Sequence, residues 1–224
     1  MKKKRKLDII YEDKEILVVN KPTGLLTVST PKEKEKTLFH EVSDYVKKSN
    51  PKLKVFIINR LDKDTSGIVL FAKDQKVKYM YQNNWDNLVI KRGYIAVVEG
   101  VLKKKVASIR SYLKETKNLM VYSTNDKKNG KLAITNYKVI KENNEYSMLA
   151  IEIKTGRKNQ IRVHMRDIGR PILGDKKYGD KKDRAKRLML HAESLVIINP
   201  KTKQKMGFNS KVPTEFETLF KEVK

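Results

Sequence analysis

The sequence predicts an α+β fold whose core is a mixed, mainly antiparallel β-sheet with flanking helices. Short apolar or alternating runs of strand length follow one another with turn residues between them, which is typical of antiparallel sheets. Segments with helical spacing are interspersed irregularly among the strands, so a regular α/β alternation is not expected. The 224 residues suffice for one sizeable core, or for one core with a small appended lobe.

The predicted strands begin near the N-terminus. Leu7–Tyr11 and Ile16–Asn20 form the first two, and the segment NKPTG then makes a turn. Turn residues at 125–126 and 129–130 separate several later runs, which favours an antiparallel meander. The later strands are expected near 55–58, 68–72, 94–98, 106–113, 118–123, 132–140, 146–154, 189–198 and 204–209.

Four helices are predicted from capping residues and apolar spacing. The third, NQIRVHMRDIGRP (159–171), ends at Gly169, which suits the residue after a helix. The apolar stripes of these helices, including Met80 and Ile168, are expected to face the core. The predicted N-caps are Thr37, Asp74, Asn159 and, in a capping box with Glu217, Thr214.

The composition indicates a polyanionic partner. Lys and Arg number 51 against 26 Asp and Glu, so the formal net charge is +25. Such a charge attracts nucleic acid first and an anionic membrane surface second. The chain has no Cys, which excludes disulfides, thiolate nucleophiles and Cys-ligated metal sites. Neither a signal peptide nor a run of about 20 apolar residues is present, so we expect a soluble, cytoplasmic protein.

One loop carries charged residues between two apolar runs. Arg60, Asp62 and Asp64 lie between the predicted strands 55–58 and 68–72. Two interpretations are open. The segment is a polar hairpin turn whose Asp caps backbone amides, or it is a loop on a rigid scaffold that holds catalytic groups.

A second cluster lies around the third helix. The stretch KTGRKNQIRVHMRDIG contains Arg157, Arg162, His164 and Arg166 near a helix N-terminus. These cations would suit an RNA or DNA phosphate backbone, or they form a solvated basic face. His164 by itself is more typical of a packed histidine, and three His without Cys do not favour a metal site.

Two further features are ambiguous taken singly. Tyr94 follows a basic pair at the start of a strand, where it could stack on a base or belong to the core. The basic segment 176–187 could follow phosphates or could be a solvated loop.

Taken together and in order, these motifs closely resemble the RluA family of pseudouridine synthases. The resemblance covers essentially the whole chain. Asn59 replaces the family's usual His, and Lys158 and Asn159 replace the usual Thr-His. The motifs are NKPTGLL (20–26), NRLDKDTSGIVLFAKD (59–74), KRGYIAVVEG (91–100), KTGRKNQIRVHMRDIGRPILGDKKYG (154–179) and LMLHAESLVIINPKT (188–202).

The resemblance implies a single catalytic domain over 1–224, with a central active-site cleft and no separate RNA-binding domain. It implies isomerisation of uridine to pseudouridine in ribosomal or transfer RNA after the base is flipped out. Asp62 would be the catalytic carboxylate, Arg162 its paired cation, and Tyr94 the residue that stacks on the uracil. The residues implied to bind substrate are Arg60, Thr65, Ser66, Arg157, Gln160, Ile161 and His164.

The same resemblance implies no cofactor and no metal, because the chemistry exchanges one bond for another. RNA is the expected partner, without DNA or a membrane, and the protein is expected to be a monomer. Two alternatives stay open: a non-catalytic RNA-binding or ribosome-assembly protein of the same fold, and a peripheral membrane protein. The membrane alternative requires a helix with a wide apolar face, whereas the stripes of 37–48 and 214–223 suit core packing.

Overall fold

The computed structural model describes residues 5–179 and 185–221. The predicted basic segment 176–187 is therefore described only in part, and the last residues of the final predicted helix lie outside the described residues. In chain order the elements are β1 (Ile9–Glu12), β2 (Ile16–Lys21), α1 (Leu38–Ser49), β3 (Phe56–Ile57), β4 (Ser66–Ala72), α2 (Gln75–Asn83), α3 (Trp85–Leu88), β5 (Val89–Glu99), β6 (Val106–Glu115), β7 (Val121–Thr124), β8 (Lys131–Glu142), β9 (Tyr146–Ile153), α4 (Gln160–Asp167), β10 (Leu190–Ile198), β11 (Lys205–Asn209) and α5 (Thr214–Thr218).

The chain divides into two compact units. The first comprises Met1–Ile90 and Ala192–Ser210, and the second comprises Lys91–His191 and Lys211–Lys224. The expectation of a single catalytic domain over 1–224 stays a prediction. The α+β class is confirmed, and every strand pair whose register is described is antiparallel.

The first unit is organised around β4. All seven residues of this strand are buried. Strand β2 pairs with β4 from Ile16 opposite Ala72 to Lys21 opposite Gly67, and the short β3 pairs with the end of β4. Because both faces of β4 are covered, its two ends are fixed, and the loop that precedes it begins from a rigid strand.

The helices of the first unit begin where the sequence predicts. The side chains of Thr37 and Asp74 accept hydrogen bonds from the backbone N–H groups of His40 (3.1 Å) and Lys76 (2.6 Å), which confirms both N-caps. The stripe of α1 is buried as expected. The prediction that Met80 of α2 faces the core is wrong, because this residue lies at the surface.

The second unit contains the sheet β5-β9-β8-β6-β7. The predicted meander is wrong in its order, because β8 pairs with β6 and leaves β7 at the sheet edge. Within the described residues, the short β7 pairs with the end of β6 alone, whereas β8 pairs with β6 from Val106 to Leu113. The longer pairing buries alternate residues of β8 under α4, and this packing selects the strand order.

Two details of the predicted helices differ from the structure. Thr214 is the first residue of α5 rather than its N-cap; Pro213 precedes it and no side chain caps this end. The fixed φ of proline suits the start of a helix, so the capping box is not needed. Ile168 lies at the surface, just before Gly169, whose positive φ of 70° ends α4 as predicted.

No helix in the described part of the chain combines the length and the apolar character needed to cross a membrane.

Candidate active site

A hairpin of the first unit presents Asp62. Strands β3 and β4 pair antiparallel, which confirms that the charged segment is the connection of a hairpin. Leu61 is buried while the next residue, Asp62, is half-buried; Arg60 and Asp64 are exposed. The apolar neighbour therefore anchors the loop in the core and leaves the Asp62 carboxylate near the surface.

Lys21 fixes this loop from beneath. Its side chain is fully buried at the end of β2. The Nζ ammonium donates to the carbonyl oxygens of Pro22 (3.0 Å), Leu25 (2.8 Å) and Lys63 (2.9 Å). An ammonium has three N–H donors, so these carbonyls satisfy all of them and tie the NKPTG turn to the residue after Asp62.

Two threonines of the neighbouring segment hold the loop backbone. The buried Thr27 hydroxyl donates to the carbonyl of Leu61 (2.7 Å) and accepts from the N–H of Leu61 (3.2 Å). Thr23 donates to the carbonyl of Asp64 (2.7 Å). Contacts on both sides of Asp62 thus restrict its backbone without using its carboxylate.

The two ends of the loop are closed by specific residues. The Asn59 Oδ1 atom accepts the backbone N–H of Leu70 (2.7 Å), so the residue that replaces the family's His closes the hairpin. Gly67 has a φ of 116°, and a Cβ atom there would lie 2.2 Å from the carbonyl oxygen of Ala192. Only glycine allows β10 to pass this close to the start of β4.

Helix α4 of the second unit carries Arg162 and is fixed by Gln160. The Gln160 Nε2 group donates to the carbonyl of Ile134 and to Thr135 Oγ1, both at 2.9 Å. Its Oε1 atom accepts from the Thr155 hydroxyl (2.7 Å) and from the N–H of Arg157 (3.1 Å). The amide therefore joins the start of α4 to β8 and to the loop before the helix.

His164 is completely buried between α4 and the sheet. Its Nε2 and Nδ1 atoms lie 3.0 Å from Ser111 Oγ and 2.9 Å from Thr135 Oγ1. Burial lowers the pKa of His164 to about 4, against the opposing effect of Asp167. The ring is neutral at pH 7, and hydroxyls can donate or accept, so they satisfy either tautomer.

Arg162 is buried and forms an ion pair with Asp175. Its Nε and Nη2 groups donate to Asp175 Oδ2 (2.8 Å) and Oδ1 (2.6 Å), and Nη1 donates to Asn159 Oδ1 (3.3 Å). A guanidinium has five N–H groups, and these three bonds use one on each of its nitrogens.

Tyr94 lies on the sheet face that carries α4. Directly opposite residues of an antiparallel pair share a face, and Tyr94 is opposite Ile151, which is opposite Tyr137 of β8. Thr135, two residues before Tyr137, contacts His164 of α4. Tyr94 is half-buried and packs against the core.

The predicted substrate-binding residues differ in exposure. Arg60 and Arg157 are exposed, whereas the other five are buried. The described contacts of Gln160 and His164 are with the protein, so their role as substrate contacts stays a prediction. The buried residues are Thr65, Ser66, Gln160, Ile161 and His164.

Sequence reasoning missed two supporting residues. Lys21 lies in NKPTGLL and Asp175 in GDKKYG, but no pattern within these motifs predicts a role for either residue. Lys and Asp are usually exposed, and burial of either is not visible in a local pattern. Within residues 5–179 and 185–221, no group of three His, Asp or Glu side chains could hold a metal ion.

Comparison with known proteins identifies the family. A sequence model described as RNA pseudouridylate synthase matches residues 15–167, a segment that contains Asp62, Tyr94 and Arg162. The chain belongs to this family, in its RluA branch. It is therefore an RNA pseudouridine synthase, an isomerase that converts uridine to pseudouridine, and the non-catalytic alternative is set aside.

Several curated relatives align over nearly all of the synthase. A ribosomal large subunit pseudouridine synthase D of Borreliella burgdorferi is 35% identical over 215 residues, which are 93% of this chain and 66% of the relative. A tRNA pseudouridine synthase C of Haemophilus ducreyi is 32% identical over 235 residues, covering 96% and 94%.

Solved structures show the same fold. The human protein RNA pseudouridylate synthase domain containing 1 matches with a TM-score of 0.76 at 22% identity, over 94% of this chain and 86% of that one. This likeness confirms the pseudouridine synthase fold of the synthase.

Proposed function

We propose that the synthase isomerises uridine with Asp62 as its catalytic carboxylate. The observation that carries this proposal is that hydrogen bonds hold the backbone on both sides of Asp62. Leu61, Lys63 and Asp64 each contribute a carbonyl to a hydrogen bond from Thr27, Lys21 or Thr23. A carboxylate held in this way needs little reorganisation when a flipped nucleotide arrives.

The reaction balances without a co-reactant. The N1–C1′ glycosidic bond of uridine breaks, the uracil rotates within the pocket, and C5 bonds to C1′. The proton on C5 is lost to solvent and N1 gains a proton. The Asp62 carboxylate either attacks C1′ or removes a ribose proton to give a glycal, and both routes require it to be ionised beside the sugar.

Arg162 and Tyr94 complete the proposed centre. Arg162 supplies the positive charge that favours the ionised form of Asp62, and Tyr94 stacks on the extruded uracil. The exposed Arg60 and Arg157 contact the nucleotide or its phosphates. Such contacts offset the few kcal/mol needed to take a base out of its stack.

The proposed RNA is ribosomal or transfer RNA. The names of the relatives from Borreliella burgdorferi and Haemophilus ducreyi support one class each. The high positive charge supports RNA rather than a neutral partner. We further propose that the synthase acts as a monomer in the cytoplasm, without DNA or a membrane as its partner. Pseudouridine mapping of ribosomal and transfer RNA from cells with and without the gene decides the RNA class.

The Asp62→Asn variant tests the mechanism. It keeps the size and hydrogen-bonding capacity of the side chain, so the variant should fold and bind RNA. It should release no tritium from RNA labelled at C5 of uridine, because the neutral amide cannot perform either route. Asp64→Asn is the matched control, since Asp64 is exposed in the same loop. Tritium release by Asp62→Asn at the rate of Asp64→Asn would refute the assignment.

A further inference from the structure

Asp175 is a buried carboxylate outside the residues that the family resemblance assigns. Only 2% of the residue is exposed. Besides its two bonds from Arg162, its Oδ1 atom accepts the backbone N–H groups of Lys177 (2.9 Å) and Tyr178 (3.0 Å). The carboxylate is therefore fixed to the backbone of its own turn, and it transfers that fixed geometry to the guanidinium.

The turn that carries Asp175 is itself rigid. Gly174 has a φ of 79°, and a Cβ atom there would lie 1.8 Å from the carbonyl oxygen of Arg187. The N–H of Gly179 donates to the Asp175 carbonyl at 2.7 Å. Glycine is required where the chain at Arg187 crosses Gly174, so the turn has little freedom to shift.

Tyr178 and Asn159 restrict the other sides of the guanidinium. The Arg162 Cζ atom lies 5.1 Å from the centroid of the Tyr178 ring, within range of a cation–π contact. The Tyr178 hydroxyl accepts from Asn159 Nδ2 (3.1 Å) and from the N–H of Val121 (3.0 Å). Asn159, with a φ of 54°, thus links Arg162 to Tyr178 from the start of α4.

The ion pair and the hydrogen bonds around Arg162 exceed what the packing of the eight-residue helix α4 requires. Apolar side chains of similar volume can replace a buried ion pair without loss of stability, so the pair is weak evidence for a stabilising role. The bidentate contact instead fixes the plane of the guanidinium and the direction of its Nη1 edge.

We propose that Asp175 is a positioning residue that orients Arg162 for the isomerisation. Tyr178 and Asn159 supply the other contacts that hold the guanidinium. The inference rests on the proposed function of Arg162. Asp175 is not proposed to contact substrate or the reacting atoms; it acts by fixing the position and the plane of the Arg162 guanidinium.

Asp175→Asn tests this role with little change of shape. Its Oδ1 atom can keep the bonds from Lys177 and Tyr178, while its Nδ2 group meets the Arg162 Nε–H and loses that bond. The single-turnover rate constant at saturating RNA should fall by about 100-fold, as expected for misplacement of a group near the reaction. The Kd for RNA should change by less than about two-fold, because no phosphate contact is removed.

A second variant background, Arg162→Lys, distinguishes a positioning role of Asp175 from a role in stability. In the Arg162→Lys variant the forked donor is absent, so adding Asp175→Asn should lower the rate by less than about three-fold more. A carboxylate that only stabilised the fold would reduce the rate equally in both backgrounds. Equal reductions, or a wild-type rate for Asp175→Asn alone, overturn the proposal.

Two further variants complete the test. Asp167→Asn breaks the more exposed Arg166–Asp167 pair (2.6 Å) of the same helix and should keep the wild-type rate. If Asp175→Asn does not fold, Tyr178→Phe decides, because it keeps the ring and removes the hydroxyl that Asn159 contacts. A reduced rate that depends on Arg162 supports the proposal, and a wild-type rate overturns it.

The outcome is distinguishable from failure of the proposed function. An inactive Asp62→Asn beside a fully active Asp175→Asn rejects only the positioning role. An active Asp62→Asn rejects the proposed mechanism whatever Asp175→Asn does.

Discussion

The Asp62 loop and helix α4 are held in place by different kinds of contact. The loop is held mainly through its backbone: Lys21, Thr23 and Thr27 all donate to carbonyl oxygens. Helix α4 is held mainly through side chains, because Gln160 and His164 bond hydroxyl groups of Thr and Ser residues.

This difference has a consequence for tolerance to substitution. A carbonyl acceptor is present whatever residue carries it, so the hydrogen bonds at positions 61, 63 and 64 do not depend on the side chains there, as long as Lys21, Thr23 and Thr27 stay. A side-chain contact requires both residue types, so the α4 contacts depend on the pair. The loop should therefore lose most of its stability at Lys21, which donates to three carbonyls, whereas α4 should lose stability in smaller steps.

Loss of Lys21 should have the largest effect on stability. Lys21→Met removes the ammonium and leaves three carbonyls, at residues 22, 25 and 63, without their described donor. Each buried unsatisfied group costs about 1–3 kcal/mol, and we expect a total loss of about 3–5 kcal/mol in the free energy of unfolding. Urea denaturation of the two proteins measures it.

Lys73→Met is the control for this change. Lys73 also bridges segments, through Glu12 and the carbonyl of Asp13, but its side chain is partly exposed and water can replace it. We expect Lys73→Met to lower the free energy of unfolding by about 1 kcal/mol or less. Equal losses for the two variants would contradict the special role of Lys21.

His164 should give α4 a pH-dependent stability. Its pKa is lowered to about 4, so between pH 6.5 and 4 the unfolded chain binds a proton that the folded protein does not. The contribution of the neutral His164 ring to the free energy of unfolding is fully present above pH 6.5 and is lost as the pH falls through 4. The loss approaches about 3 kcal/mol as an upper limit.

Urea denaturation from pH 4 to 7 checks this prediction against His164→Gln. The variant should lack the part of the pH dependence that comes from the buried imidazole. His40→Gln is the matched control, because it removes a histidine whose side chain is half exposed. A wild-type pH profile for His164→Gln would show that His164 does not produce the effect.

The two asparagines that depart from the family pattern provide the smallest effects. Asn59→Ala loses one bond to a backbone N–H and should cost about 1 kcal/mol in stability. Asn159→Ala loses its bonds to Arg162 and Tyr178 and also adopts a φ of 54° without asparagine's tolerance for that region. We expect about 2–3 kcal/mol from these combined costs.

Asn159→Gly refines the second measurement. Glycine adopts the left-handed region freely, so this variant removes the side-chain bonds without the backbone strain. It should therefore lie between the wild type and Asn159→Ala in thermal unfolding. If both variants are equally stable, strain does not contribute.

Much of the fold follows from local sequence rules. Strand and helix positions were predicted from period and capping because these depend on neighbours within a few residues. The order of β6, β7 and β8 was not, since the choice between two antiparallel partners depends on which pairing buries more of the α4 face. The spacing between Thr214 and Glu217 predicts a capping box, but Pro213 already starts the helix.

The candidate site likewise has features that the local sequence predicts and features that depend on tertiary contacts. The sequence alone determined the family and predicted the hairpin that carries Asp62, because both depend on contiguous patterns of residue types. Through the family resemblance it also predicts Asp62, Tyr94 and Arg162 as site residues. Only the tertiary structure revealed that Lys21 lies buried under that hairpin and that Asp175 holds Arg162. A charged side chain is buried only when distant parts of the chain supply its partners, and no local pattern records those partners.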